Sequence, residues 1–523
     1  MPYIFSPRRN MVATDASQSM KSSACSLPEV IPSLTRQKCP YWRSVRFRIC
    51  LLLCGAMFIM QFMNMSLAVA IITMVTVDLR PTMHIHGNAT ENDFEHGFDG
   101  LEHLHNVTVV KGSVDWSPAI QGLVLSALSW GRLLTPFAGV LVDRLNLRIL
   151  LALAVVLASA STALVPVSIQ IAYYLVMFWR LLTGLADAVV QPAANRLISV
   201  WFPLSERTRA LSSITGGRQL AIIIGFPVAG VMCASPSVIG GWPLVFYTAA
   251  GLGALWVPLW LFFGHHNPAR ALHMTTEEQQ VLASCQNRGE DGKKLKYPIP
   301  WKFMVTSLTF WANISAVLCH EVPLLIVFLF LPTYMRDVLH FSVRDNGILS
   351  GLPAASFLLT KLAASQLSDV IQRKCPKINK TKAAKIFNSI ASAGLGGTLL
   401  VISFMNCSCR YLALGCFITA IAFAGLHTPG ALATLVTLAP NFAGTISGIA
   451  FFLVSIAALI NPMAVKLIVK TGALAEWQTV LRIAGVIACL PLVIFNWWGS
   501  AEEQVWNQQT PVKANTNKQT MKY

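Results

Sequence analysis

Twelve apolar runs of about 20 residues, the length a helix needs to cross a bilayer, recur along the chain between short polar stretches. The first six lie near residues 49–77, 119–142, 149–169, 171–200, 211–233 and 244–263. The second six lie near 304–334, 346–367, 386–405, 411–438, 443–469 and 480–497. A hydrophilic stretch separates the two sets close to the middle of the chain. The pattern predicts an all-α polytopic membrane protein of twelve transmembrane helices in two six-helix bundles, 49–263 and 304–498. A tail (1–48), an outside loop (78–115), a central linker (264–303) and a second tail (499–523) complete the organisation. Runs three and four nearly touch, which predicts a hairpin there.

Composition removes the soluble alternatives. Of 523 residues, 54% are hydrophobic and only 12% charged, against about 25% charged in soluble domains. The net charge of +17 would suggest nucleic acid in a soluble chain. Here Lys and Arg cluster in the first tail, the 143–148 and 206–209 loops, the linker and the 373–385 loop, where they orient helices instead. By the positive-inside rule both termini are cytoplasmic. Six of the cysteines (Cys50, Cys54, Cys233, Cys319, Cys416, Cys489) sit in apolar runs and read as packing residues, not a disulfide framework. The polar first 48 residues and the long run after them do not form a cleavable signal.

The sequons at Asn88 and Asn106 fall in the first outside loop and predict glycosylation there. The same loop holds His84, His86, His96, His103 and His105. Their spacing is not that of a zinc site, so the loop reads as solvated and no metal is expected.

Candidate chemistry lies inside the runs, where an ionisable group is costly and marks a transport path or a buried pair. The cations are Arg132, Arg180, Arg218, Lys361 and, near its helix end, Lys466; the carboxylates are Asp187 and Glu321, with His320 and His427 beside them. Surplus positive charge in a wet cavity selects a small anion. Arg180 and Asp187, seven apart, share a helix face about 10.5 Å apart along the axis. A guanidinium fork suits carboxylate or phosphate. Arg180, Arg132, Arg218 and Lys361 are therefore the expected substrate ligands, and Asp187, Glu321 and His320 the expected coupling groups. The alternative is that Arg180 and Asp187 only lock the bundle, and that Asp187 is the structural partner of Arg132 or Arg218. Pro323 is expected to unwind the turn beside Glu321 where it lines the cavity. No P-loop, dinucleotide fingerprint or nucleophile elbow is present. The chain is thus not expected to be an enzyme or an ATP-driven pump, and needs no cofactor beyond a coupling sodium ion or proton. Its partners are the small anion and the bilayer, and it is expected to work as a monomer.

Gly139-Val-Leu-Val-Asp143-Arg144-Leu-Asn-Leu-Arg148 resembles the loop signature of the major facilitator superfamily. Gln366-Leu-Ser-Asp369-Val-Ile-Gln-Arg373-Lys374 echoes it in the second half. The stretch reads as a charged gating hinge, with Asp143 capping and pairing locally while Arg144 and Arg148 hold the cytoplasmic side. Asp115-Trp-Ser-Pro-Ala-Ile-Gln-Gly122, Trp201-Phe-Pro-Leu-Ser-Glu206-Arg207, Gly241-Trp-Pro-Leu-Val-Phe-Tyr247, Leu331-Pro-Thr-Tyr334 and Ala439-Pro-Asn-Phe-Ala-Gly444 are similar to solute carrier family 17. That family includes type I sodium/phosphate cotransporters, sialin and the vesicular glutamate transporters.

The resemblance implies a facilitator fold and secondary transport of organic anions or phosphate across a plasma, endolysosomal or vesicular membrane. Arg180 matches the family's substrate-linked arginine, and Asp187 stands where proton-coupled members carry glutamate. Asn64, Leu125, Arg132 and Asn195 depart from the sialin and glutamate-transporter patterns, which counts against those two substrates. A proton-coupled endolysosomal exporter of acidic sugars or amino acids stays open, as does an anion channel or nutrient receptor on the same fold.

Overall fold

The computed structural model describes residues 44–74, 114, 116–234, 241–265, 278, 298–341, 349–375, 377–405 and 410–508. Asn88, Asn106, the histidines of the first loop, residues 1–43 of the N-terminal tail and most of the central linker lie outside the described residues; residues 45–48 of that tail already belong to the first helix, Val45–Met74.

Eleven helical stretches among the described residues are long and apolar enough to cross a membrane. Span 1 is Val45–Met74, span 2 the pair Pro118–Arg132 and Thr135–Arg144, span 3 Leu147–Ile171, span 4 Tyr173–Trp201, span 5 Arg207–Ala234 and span 6 Trp242–Phe263. In the second half, span 7 is Leu308–Asp337, span 8 Leu352–Lys374, span 9 Lys380–Ile402, span 10 Arg410–Thr437, span 11 Ala443–Ile468 and span 12 the pair Leu474–Cys489 and Pro491–Trp498.

Span 8 is the twelfth. At 23 residues it is long enough, but it fails on apolarity. Its polar residues Lys361, Ser365, Ser368 and Asp369 are all buried inside the protein, so the helix spends its polarity inward, where a cavity needs it. It also runs further than the predicted 346–367, because the polar 368–374 segment continues the helix. Spans 3 and 4 are joined through Ala172 alone and pack together, as the pattern predicts.

Within the first half, span 1 packs on spans 5 and 6, and span 4 on spans 2 and 3. Within the second, span 10 packs on spans 8 and 9, and span 12 on spans 7 and 9. The halves meet where the second piece of span 2 and span 4 lie against span 11, and where span 5 lies against span 8.

The broken turn is not where Pro323 predicts it. Pro323 sits inside an unbroken span 7, since a proline removes one ladder bond and a 30-residue helix keeps the rest. The break is in span 10, a π-turn at Thr428–Leu432, where Gly430 takes non-helical dihedrals (φ −78°, ψ −116°) next to Pro429. π-bulges of this kind gather at functional sites. Span 2 breaks as well, at Leu133–Leu134, just before Pro136.

Candidate functional site

The two halves enclose a central cavity of about 420 Å³. Span 4 brings Asp187 to its wall, and two cations converge on that carboxylate. Arg132 of span 2 reaches Asp187 Oδ2 with Nε and Nη2, both at 2.7 Å, and Arg218 Nη2 of span 5 reaches Oδ1 at 2.8 Å. Asn64 of span 1 donates its amide to Oδ2 at 3.2 Å. The Asp187 side chain is 4% exposed, against 26% for Arg132 and 19% for Arg218. Both carboxylate oxygens thus carry charge-assisted bonds, which is what a buried carboxylate requires. The two guanidiniums share one counter-charge and keep exposed edges toward the cavity.

Arg180 occupies a different position from the one its spacing suggests. It is 2% exposed and donates Nη1 to Met63 O (3.0 Å) and Nη2 to Asn64 O (2.7 Å) of span 1. It does not line the cavity. Span 1 crosses the face that Arg180 shares with Asp187, and its carbonyls occupy the guanidinium. Arg180 thereby sets the place of Asn64, which in turn holds Asp187.

The wall from the second half is built differently. Lys361 of span 8 is 3% exposed and forms no ion pair among the described residues; its ammonium donates to Gln219 Oε1 at 3.4 Å and lies 5.5 Å from the Phe357 ring centre. Glu321 of span 7 lines the cavity, also without an ion pair among the described residues. Beside it His320 stacks on His427 of span 10, ring centres 3.8 Å apart and 11° from parallel. His427 Nδ1 lies 3.0 Å from Asn388 Oδ1, so the amide oxygen accepts and the ring donates. Both His320 and Glu321 reach the cavity wall, whereas adjacent helical positions suggest that only one would. Phe328, Phe357 and Phe451 join aliphatic and neutral polar side chains in the rest of the lining.

The Gly139–Arg148 stretch closes one end. Asp143 does not pair locally; it crosses to the other half. Its carboxylate accepts from Gly444 N (3.2 Å), Thr445 N (2.7 Å) and Thr445 Oγ1 (2.7 Å), capping the N-terminus of span 11, where a carboxylate also meets the positive helix end. Arg196 of span 4 lies 3.5 Å from Asp143 and donates to Pro440 O. Backbones meet here: a Cβ on Gly139 would lie 2.5 Å from Gly444 O and 3.1 Å from the Gly448 Cα. Asn195 donates to Ser447 Oγ at 2.8 Å across the same seam. Arg148 donates to Leu261 O and accepts Trp260 Nε1 at its own carbonyl (2.9 Å), tying spans 3 and 6. Arg144 is exposed, and Lys466 is exposed near the end of span 11 as expected.

Sequence reasoning missed Arg196, Asn388 and the glutamines at 61 and 219. Arg196 was findable, since it is an arginine inside an apolar run like the others. The neutral amides carry no such signal.

The major facilitator superfamily model matches residues 51–462. Human sialin is 26% identical over 96% of this chain and 98% of its own length. A transporter of Caenorhabditis elegans, the uncharacterised slc-17.3, is 30% identical over 76% of this chain and 74% of its own. A putative inorganic phosphate cotransporter of Drosophila melanogaster is 29% identical over 76% and 75%. Among solved structures, the proton:xylose symporter XylE bound to 6-bromo-6-deoxy-D-glucose superposes with a TM-score of 0.62 over 88% of this chain and 97% of that one, at 15% identity. That likeness concerns the fold alone.

Proposed function

The chain belongs to the major facilitator superfamily, in its solute carrier 17 branch, and on that premise we propose that it is a secondary transporter of organic anions or inorganic phosphate, working by alternating access. The observation that carries this reading is the charge of the central cavity. Arg132, Arg218 and Lys361 stand against Asp187 and Glu321, so one positive charge is left for a substrate anion to balance. The anion approaches Arg132 and Arg218 on the edges Asp187 leaves open, and Lys361 from the opposite half. Holding cations from both halves, it favours the halves closing on it. The latch of Asp143 and Arg196 is the closed end of the path in this state.

A cavity of about 420 Å³ with three phenylalanine rings and several aliphatic side chains in its wall suits an organic anion with an apolar body better than phosphate, which would leave those groups unused. The coupling ion is a proton or sodium, with Glu321 the free carboxylate best placed to respond. Both termini are read as cytoplasmic from loop charge, and glycosidase-sensitive glycans on Asn88 and Asn106 would agree with that orientation.

Reconstituted protein is the test. Uptake of labelled phosphate, glutamate, glucuronate and benzoate would be measured with sodium gradient, proton gradient and potential imposed separately. We expect saturable, gradient-driven uptake of at least one organic anion, weakened in Arg218→Ala through a higher KM. Conductance without saturation, or no flux of any of the four, would sink the reading.

A second reading, a proton-coupled exporter of acidic sugars or amino acids from an endolysosomal or vesicular lumen, is favoured by the near full-length match to human sialin. Proton-driven glucuronate flux that sodium leaves unchanged would select it.

A further inference from the structure

The segment after span 12 is built into the protein. Ala501, Trp506 and Asn507 are buried, Asn507 completely. Ser500 O accepts from Asn313 of span 7 (3.1 Å), and Ala501 N donates to Thr381 Oγ1 of span 9 (3.1 Å). Gln504 N donates to Leu438 O at the end of span 10 (2.9 Å). Asn507 and Asn441 then bond twice: Asn441 N to Asn507 Oδ1 and Asn441 Nδ2 to Asn507 O, both 3.1 Å. The segment therefore crosses the feet of spans 7, 9 and 10 and ends on the Pro440–Phe442 turn that leads into span 11.

That turn and the start of span 11 are one of the places where the first half grips the second. Pro440 O accepts from Arg196 and Ser199, and the amides of Gly444 and Thr445 donate to Asp143. Asn441, held by Asn507, lies between these two anchor points. A turn pinned by a buried side chain keeps its carbonyl and amides aimed at the other half; a turn freed from it has no such alignment. Leaving buried partners of a lost hydrogen bond unsatisfied is costly, so the segment and the turn hold or release together.

We propose that Ser500–Gln508 is a strap that keeps this end of the transporter closed, by fixing the 440–442 turn in the position the Asp143–Arg196 latch requires. Anything that peels the strap away shifts the protein toward the state open at this end. The proposal rests on the alternating-access reading above.

The test uses a buried reporter at the seam. Ser447, wholly buried against Asn195, would be changed to Cys, and its modification by a charged methanethiosulfonate followed in nanodiscs, with the protein lacking that cysteine as the blank. We expect Asn507→Ala to raise the modification rate severalfold, toward the rate of Asp143→Asn. Asn441→Ala, which removes one of the two bonds and only part of the burial, should give a smaller rise in a protein whose thermal unfolding is that of the parent. An unchanged rate in both strap variants, while Asp143→Asn raises it, overturns the strap. An unchanged rate in Asp143→Asn as well removes the latch and the alternating-access reading beneath it.

Discussion

The two walls of the central cavity solve the same problem in opposite ways. On the first-half wall, Asp187 is shared by Arg132 and Arg218 and steadied by Asn64, so its charges are held in one fixed geometry. On the second-half wall, Lys361 and Glu321 form no ion pair among the described residues, and the stack of His320 on His427 stands beside them. A satisfied network is rigid and resists disturbance, whereas unpaired charges at a cavity are free to answer a ligand or a proton. On the function proposed above, the first half would recognise the anionic head and the second would respond to binding.

The largest break in that comparison should come from Asp187→Asn. It leaves two neighbouring guanidiniums without their counter-charge, and removing one partner of a buried pair costs about 3–5 kcal/mol. We expect a lower unfolding temperature in detergent and no uptake; normal stability would mean the pair contributes little to the fold.

Arg218→Ala should come next. Losing a charge-assisted bond of about 1.5–3 kcal/mol to the substrate predicts a rise in KM of about tenfold or more, with Arg218→Lys recovering part of it. A KM that does not move would take Arg218 out of recognition.

Lys361→Met tests the other wall. Because an unpaired buried charge is costly, we expect unfolding at the same or a higher temperature, together with weaker uptake. A clear drop in stability would show that Lys361 is paired after all. Glu321→Gln should keep both fold and binding but make uptake indifferent to a pH gradient, while uptake that stays proton-driven would move coupling elsewhere. The smallest effect should be that of His427→Phe, which keeps the stack, worth about 0.5–1.5 kcal/mol, and gives up the bond to Asn388.

These contrasts were partly visible in the residue string. Every charge that lines the cavity is legible there, because charge inside an apolar run is rare enough to stand out. Which charge pairs with which is not. Arg180 and Asp187 share a face by periodicity, yet one is capped by the carbonyls of span 1 and the other lines the cavity. Span 1 lies more than 100 residues away in the chain. Asp143 looked like a local cap and instead holds span 11, some 300 residues on. The broken turn lies at the Pro429-Gly430 pair in span 10, not at Pro323 in span 7, because glycine tolerates dihedrals that a proline-kinked helix does not need.

Twelve spans, their division into two sets of six and the surplus of intramembrane cations were determined by the sequence alone, since lipid penalises every unburied polar group and so writes the spans directly into the order of residues. The sharing of Asp187 between two arginines, the withdrawal of Arg180 behind span 1, the latch across the seam and the strap beneath it were decided only by the tertiary structure. Each depends on which helices lie side by side, and a hydrogen bond or ion pair requires contact within a few ångström, which distance along the chain does not report.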